Sequence, residues 1–200
     1  SWEQQIDDIL GPNFPYFASV GNHDCQQGLP GCNGPGVWPD YQANLIARLG
    51  RIDGAVCTGE YGVNAACTFK GIFFLLSGIG TQGTGHEGFI QSSLGAATEA
   101  WRICSWHKNQ RLMQVGAKTD EVGWAAYEIC RAGGAIIATA HAHKYSRTHL
   151  MSDFESQIIA STSNTLAIGP GESFAFVSGI GGSDIRAQNA ELAANPWWAS

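Results

Sequence analysis

Residues 135–143 read AIIATAHAH, an apolar run from Ala135 to Ala140 followed by two histidines, His141 and His143. A short apolar run of this length is typical of a strand buried inside a sheet. The spacing His141-x-His143 puts two imidazoles close together at the end of that strand. We therefore predict a buried strand that ends at a pair of side chains able to bind first-row metals.

The same arrangement occurs at two other places in the chain. Phe14 to Val20 is short, aromatic and apolar, which predicts a buried strand, and it runs directly into Gly21-Asn22-His23-Asp24. Trp101 to Trp106 predicts another strand, which ends at His107. Polar side chains just past the carboxyl ends of strands are typical of a site in an open α/β sheet.

Helical patterns alternate with these strands. The predicted helices are Trp2 to Leu10, Asp40 to Leu49, Phe89 to Ala100 and Thr119 to Arg131, the last capped by Thr119 and stopped by Gly133. Further strands are predicted on both sides of a turn at Lys70-Gly71 within Tyr61 to Leu76, at Ser156 to Ala160 and at Phe174 to Val177. Alternation of this kind predicts the α/β class.

Length and composition limit the classes of protein to consider. The chain has 200 residues, which suits a single domain over residues 1–200. The formal net charge is -6, and the lysines and arginines are scattered, which argues against a nucleic-acid-binding patch. No apolar run reaches the length of a membrane span. The sequence gives no indication of oligomeric state.

Six cysteines occur without a Cys-x-x-Cys pair, which argues against a zinc ribbon or a thioredoxin-like motif. An even number permits three disulfides, and Cys25 with Cys32 and Cys57 with Cys67 are near enough in sequence to close local loops. The alternative is a set of buried free thiols, which pack as small hydrophobic side chains. Disulfides would indicate a secreted or extracytoplasmic protein.

These polar blocks together resemble the calcineurin-like metallophosphoesterase family. The blocks that carry the resemblance are Gly21-Asn22-His23-Asp24, the isolated His107, Ala140-His141-Ala142-His143 and Val177-Ser178-Gly179. The extension Lys144-Tyr145-Ser146-Arg147-Thr148 resembles the His-x-Tyr-x-Arg pattern of the purple acid phosphatase branch. The resemblance spans about residues 14–182.

The resemblance implies a fold, an activity and a role for each matched residue. The implied fold is a sandwich of two central sheets flanked by helices, and the implied activity is hydrolysis of phosphate esters. Asn22, His107 and His141 would bind one metal ion and His143 a second, each of them iron, zinc or manganese. A hydroxide held between the two metals would attack phosphorus. His23 would donate a proton to the leaving group, with Asp24 orienting it.

The sequence departs from this family pattern in one important respect. No Asp is followed two positions later by His, and no Gly is followed by Asp, so both of the family's earlier ligand motifs are missing. We therefore expect a partial domain, truncated at both ends, that holds the C-terminal half of a dinuclear site and alone is inactive or poorly active. We expect Trp197 and Trp198 to pack against the missing strands.

Two alternatives to a phosphoesterase are open at this point. Gly78-Ile79-Gly80-Thr81-Gln82-Gly83 matches the dinucleotide-binding pattern, with Glu99 near the position of its acidic residue. Alternatively, the chain is a secreted binding module without catalytic activity, in which Trp197 and Trp198 form an exposed contact surface. His86 and His149 belong to none of the blocks, whereas Lys108 and Asn109 are placed to face substrate.

Overall fold

Helices and strands alternate along the chain in the computed structural model, which describes residues 2–29, 31–181 and 184–200. The helices are α1 (Trp2–Leu10), α2 (Trp38–Leu49), α3 (His86–Ala96), α4 (Ala125–Ala132) and α5 (Ala190–Ala193), with a 3-10 turn at Arg111–Met113. The strands are β1 (Val56–Glu60), β2 (Asn64–Phe69), β3 (Ile72–Ser77), β4 (Trp101–Ser105), β5 (Ile136–Thr139), β6 (Tyr145–Arg147), β7 (Leu150–Asp153), β8 (Ile158–Ser161) and β9 (Ala175–Ser178). Gly182, at the end of the resemblance, lies outside the described residues.

The described strands form two sheets. The larger has the order β1-β2-β3-β4-β5-β9-β6, and the smaller pairs β7 with β8. Strands β3, β4, β5 and β9 run parallel, whereas β1 and β2 at one edge and β6 at the other pair antiparallel with their neighbours. The predicted α/β class, with two sheets flanked by helices, is confirmed.

The core lies on both faces of the larger sheet. Along β3, Phe73 and Leu75 pack in a cluster with residues of α3 and α4. The alternate residues Phe74 and Leu76 pack on the other face, in a cluster with residues of α2. Successive side chains of a strand point to opposite faces, so a strand covered on both faces is a continuous apolar run.

Three disulfides link the six cysteines. The predicted pairs Cys25–Cys32 and Cys57–Cys67 are confirmed, and Cys104–Cys130 joins β4 to α4. Three disulfides are consistent with an extracellular protein. Among the described residues, each helix is too short or too polar to cross a membrane.

The predicted strand at Phe14 to Val20 is wrong, because this segment has no ladder of strand hydrogen bonds. Val20 N donates to Gly62 O (3.0 Å), and Ser19 Oγ donates to Ser105 O (2.8 Å). Both edges of β3 are already paired, with β2 and β4, and therefore offer no place for another strand. The segment nevertheless brings residues 21–24 to the end of β4.

The predicted helix at Thr119 to Arg131 is wrong in its first half, and α4 begins only at Ala125. Asp120 Oδ1 accepts hydrogen bonds from Val122 N (3.2 Å) and Gly123 N (2.8 Å), which makes a turn. Gly123 has φ 66°, in the left-handed region that interrupts a right-handed helix.

Neither the expected packing of Trp197 and Trp198 against missing strands nor the alternative of an exposed surface is needed. Trp197 is 8% exposed and belongs to the core cluster of α3 and α4. Its Nε1 donates to Leu112 O (3.3 Å), and Trp198 Nε1 donates to Leu192 O (2.8 Å). Both indoles therefore pack against described residues of the chain itself, and neither an exposed aromatic surface nor an absent strand is needed to explain them.

Candidate metal centre

The ends of β4 and β5 bring His107 and His141 together. These strands are parallel neighbours with Ser105 opposite Ala138, so their carboxyl ends meet at one edge of the sheet. Beyond the strands, Ala140 N donates to His107 O (3.1 Å). Asn109 Nδ2 donates to Ala140 O (2.8 Å), and its Oδ1 accepts from the Thr139 hydroxyl (2.6 Å). The buried Asn109 side-chain amide thus connects the loop after β4 to the loop after β5.

His141 has an uncommon backbone conformation for a residue other than glycine. Its φ is 56°, in the left-handed region, and Ala142 N donates across it to Ala140 O (2.6 Å). Non-glycine residues in this region are held there by their surroundings and cluster at functional sites. The turn directs the imidazole back toward the end of β4, where it meets the His107 ring.

Asn22 reaches the same point from the loop after Val20. Its Nδ2 donates to Asn33 Oδ1, and Asn33 N donates back to Asn22 O (2.8 Å). The Cys25–Cys32 disulfide closes the loop between these two asparagines. With Nδ2 engaged in this way, the amide oxygen of Asn22 is left to face His107.

Three donor atoms converge at this edge of the sheet. His107 Nε2 lies 2.7 Å from Asn22 Oδ1 and 3.1 Å from His141 Nδ1. Nitrogen and oxygen ligands lie about 2.0–2.2 Å from zinc, so two neighbouring ligand atoms on one ion are about 3 Å apart. Both separations are near that spacing, and they are also within hydrogen-bond range, so Asn22, His107 and His141 are the residues that could hold a metal ion here.

The protonation of His107 suits the same role. Burial is the main cause that lowers its pKa, and the nearby His141, Lys108 and His23 lower it further, to about 3. The imidazole is therefore neutral at physiological pH. Metal binding needs a neutral imidazole, because a proton on the ligand nitrogen competes with the metal.

Glu121 stands behind this group, although sequence analysis gave it no role. Its Oε1 lies 2.8 Å from Lys108 Nζ, and its Oε2 lies 3.0 Å from His141 Nε2. Oε2 is buried and accepts no well-aligned hydrogen bond, so the contact with His141 is close but not ideal in direction. Burial raises the pKa of Glu121, but His141 and Lys108 outweigh it and lower the pKa to about 2.

A carboxylate at the far nitrogen of a ligand histidine fixes which ring nitrogen faces the metal. Glu121 is placed to do this for His141, leaving Nδ1 toward His107. No motif marks Glu121 in the sequence, since it lies in the stretch that the apolar pattern assigned to a helix. Its position depends on the turn at Asp120 and on the bond from Glu121 N to Asn109 O (3.1 Å).

His23 and Asp24 lie beside the converging atoms. His23 is exposed, and it follows Asn22 directly in the chain; its charge lowers the pKa of His107. Asp24 Oδ2 accepts from Gly21 N (2.8 Å), and burial is the main cause that raises the pKa of Asp24. A Cβ on Gly21 would lie 2.9 Å from Asp24 Oδ2 and 3.2 Å from His107 Nδ1, so glycine permits this close packing.

His143 does not join the other predicted ligands. It is half-buried, and its Nδ1 donates to Asp184 O (3.0 Å). Within residues 2–29, 31–181 and 184–200, no group of three or more His, Cys, Asp or Glu side chains is arranged to hold a metal ion. The donor set described above includes an amide, and its carboxylate lies behind a histidine. A second metal at His143 therefore stays a prediction.

Lys108 and Asn109 do not face substrate, contrary to expectation. Lys108 is 6% exposed and is paired with Glu121, and Asn109 is fully buried. His86 is a buried histidine away from the site, hydrogen-bonded to Asn64 Oδ1 and the Ser77 hydroxyl.

The glycine loop at Gly78–Gly83 packs against protein and not around a cofactor-sized opening. Gly80 has φ 73°, and a Cβ there would lie 2.6 Å from Glu121 O. Glu99 precedes β4 and does not end a strand, as the acidic residue of a dinucleotide site does. The loop therefore supports the backbone that carries Glu121, and its context does not favour dinucleotide binding.

Comparison with known proteins places the fold. No protein-family model matches the chain, and no curated protein matches its sequence. The structure is similar to that of a purple acid phosphatase from seeds of yellow lupin (Lupinus luteus), with a TM-score of 0.63 and 17% identity. The match covers 100% of this chain and 37% of the lupin chain. At this identity the likeness concerns the fold.

A structure of PhoD matches more weakly. Its TM-score is 0.34 at 13% identity, over 85% of this chain and 38% of that one, which is too low for an argument.

Proposed function

We propose that this chain takes part in the metal-dependent hydrolysis of phosphate esters, with Asn22, His107 and His141 as ligands of one metal ion. The observation that carries the proposal is the convergence of Asn22 Oδ1 and His141 Nδ1 on His107 Nε2, at 2.7 and 3.1 Å. The similarity to a phosphatase in fold supports it. Neutral nitrogen and oxygen donors suit zinc, iron or manganese. When bound, such an ion supplies Lewis-acid chemistry at phosphate and activates water.

The chain's own residues supply the remaining functions. Glu121 orients His141, and Asn33 orients the amide of Asn22. The exposed His23 beside the buried ligands is the proposed general acid, which donates a proton to the leaving oxygen. Asp24 is its proposed orienting partner, although in this structure its carboxylate accepts from Gly21 N.

A second metal at His143 stays a prediction, and so does a hydroxide shared between two metals. The proposal therefore rests on one metal ion, held by Asn22, His107 and His141. Because the chain spans only 37% of the lupin phosphatase, the activity of the complete protein is likewise a proposal. The three disulfides support a secreted or extracytoplasmic location for it.

The observation that motivated the alternative of a binding module without catalytic activity does not hold in the structure. That interpretation depended on an exposed tryptophan pair, whereas Trp197 is buried and both indole nitrogens are hydrogen-bonded within the chain.

The proposal is tested by metal content and hydrolysis together. We expect elemental analysis of the chain, purified without chelator and supplied with zinc, iron or manganese, to give one metal per chain. Hydrolysis of p-nitrophenyl phosphate should fall about 100-fold or more in His23→Ala, the usual size of general acid catalysis. His149→Ala removes a histidine outside the site and should retain activity. A metal-free chain, or a loss of only a few-fold in His23→Ala, would contradict the proposal.

A further inference from the structure

A cavity of about 250 Å³ lies next to His143 and is lined by cations. Lys118, Lys144 and Arg186 contribute to its walls, together with Gly116, Ala117, Ala142 and His143. None of these described lining residues is acidic. The chain as a whole has a formal net charge of -6, so three cations at one small opening are a marked local exception.

Lys144 is the most covered of the three cations. It is 6% exposed, and within the described part of the chain it makes no ion pair. Other covered cations do, since Arg48 pairs with Asp7 and Lys108 with Glu121. The Lys144 ammonium therefore has no counter-ion among the described residues, and an anion in the cavity would supply one.

Backbone hydrogen bonds hold the cavity beside the candidate metal centre. Arg186 N donates to His143 O (3.0 Å), and Gly179 N donates to Lys144 O (3.1 Å). A Cβ on Gly116 would lie 3.6 Å from Lys144 Nζ, so Gly116 lies directly beside the ammonium. Gln114 Nε2 donates to Lys118 O (2.6 Å). These bonds fix the backbone that carries the three cations.

We propose that Lys118, Lys144 and Arg186 form an anion subsite that holds a second phosphate-type group of the substrate. The volume lies below the about 300–1,000 Å³ of pockets for drug-sized ligands, so one small tetrahedral anion suits it better than a nucleoside. Guanidinium and ammonium groups are the usual partners of phosphate oxygens. The substrate class that follows is a phosphate ester with a second phosphate group. This class rests on the proposed function, whereas anion binding by the cavity does not.

Binding of inorganic phosphate to the metal-stripped chain tests the subsite by itself. Metal is removed with a chelating resin, because a soluble chelator is itself an anion that could enter the cavity. Titration calorimetry should then show phosphate binding that weakens as salt is added. Lys144→Met should bind phosphate at least about tenfold more weakly, since it removes a covered charge partner. Arg186→Gln should also weaken binding, but less, because Arg186 is exposed.

Lys70→Met is the matched control, since Lys70 lies on the exposed β2–β3 turn, and it should bind phosphate as the unmodified chain does. Circular dichroism establishes that each variant is folded. Equal phosphate affinity in folded Lys144→Met, or no phosphate binding at millimolar concentration in the unmodified chain, would overturn the subsite.

Hydrolysis by the metal-loaded chain tests the substrate class. Lys144→Met should raise KM for an ester with two phosphate groups and leave KM for a monophosphate ester unchanged. An equal rise in both KM values would overturn the assignment of a second group. If the chain hydrolyses neither ester but loses phosphate binding in Lys144→Met, the proposed function fails and the anion subsite stands.

Discussion

The buried His86 and the half-buried His107 each contact an asparagine side chain, but their other neighbours differ. His86 Nδ1 lies 2.8 Å from Asn64 Oδ1, and His107 Nε2 lies 2.7 Å from Asn22 Oδ1. The remaining side-chain partner of His86 is the hydroxyl of Ser77, at 3.2 Å. Both partners of His86 are neutral and come from the adjoining strands β2 and β3, so His86 is a satisfied core residue.

His107 instead meets donor atoms from separate parts of the chain. Asn22 is 85 residues away in sequence and His141 is 34 residues away. His141 in turn lies against the carboxylate of Glu121. His107 therefore differs from His86 in having a second imidazole nitrogen at 3.1 Å, with a carboxylate beyond that second ring.

The largest expected effect is on metal binding by the two histidines. His107→Gln should weaken zinc binding by more than about 100-fold, because loss of a ligand exceeds loss of an outer partner. His86→Gln should leave zinc affinity unchanged. Calorimetric titration with zinc measures both. Equal zinc affinities in His107→Gln and His86→Gln would show that the two histidines do not differ in metal binding.

A smaller effect on zinc affinity is expected from Glu121. Its charge distinguishes the surroundings of His107 from those of His86. Glu121→Gln should lower zinc affinity by about 10–100-fold, the usual cost of losing an outer-shell partner. Asp120→Asn is the neighbouring control, since the asparagine oxygen can still accept the two turn hydrogen bonds of Asp120. Unchanged zinc affinity in Glu121→Gln would show that Glu121 does not orient His141, and thermal unfolding would show whether the unpaired Lys108 affects stability.

The smallest expected effect is the contribution of His86 to the pH dependence of the free energy of unfolding. Burial lowers the pKa of His86 below its ordinary value of 6.5. The unfolded chain therefore binds this proton more readily than the folded chain. The stabilisation is complete above about pH 6.5 and is lost as the pH falls toward the lowered pKa, by at most about 1.4 kcal/mol per pH unit.

His86→Gln removes this contribution, so its free energy of unfolding should fall less steeply below pH 6.5 than that of the unmodified chain. Urea unfolding at several pH values measures the slope. His149→Gln, outside the cluster, should retain the original slope. A slope in His86→Gln as steep as in the unmodified chain would mean that His86 is not held neutral by burial.

The elements that were predicted correctly are those whose signal is local. Ala135 to Ala140 and Trp101 to Trp106 contain β5 and β4, as predicted. Phe14 to Val20 is also apolar, but it contacts Gly62 and Ser105 through single hydrogen bonds and joins no ladder. The apolar pattern of Thr119 to Arg131 does not reveal the turn inside it. That turn depends on Asp120 and on the backbone of Gly123.

The sequence by itself determined the α/β class and which polar residues follow the strands. Asn22, His107 and His141 follow predicted strands, and the resemblance to the metallophosphoesterase family implied that they bind one metal ion. Only the tertiary structure decided that their donor atoms lie about 3 Å apart. That spacing results from the register of β4 with β5 and from the amide of Asn109 between the loops.

Tertiary structure also placed Glu121 against His141, Lys144 beside Arg186 and His143 apart from the other predicted ligands. Glu121 belongs to no motif, and Lys144 lines a cavity together with two other cations. The physical reason is that the energy of an interaction between charges depends on the distance between them and on their burial. Residues far apart in sequence come close together only when the chain folds.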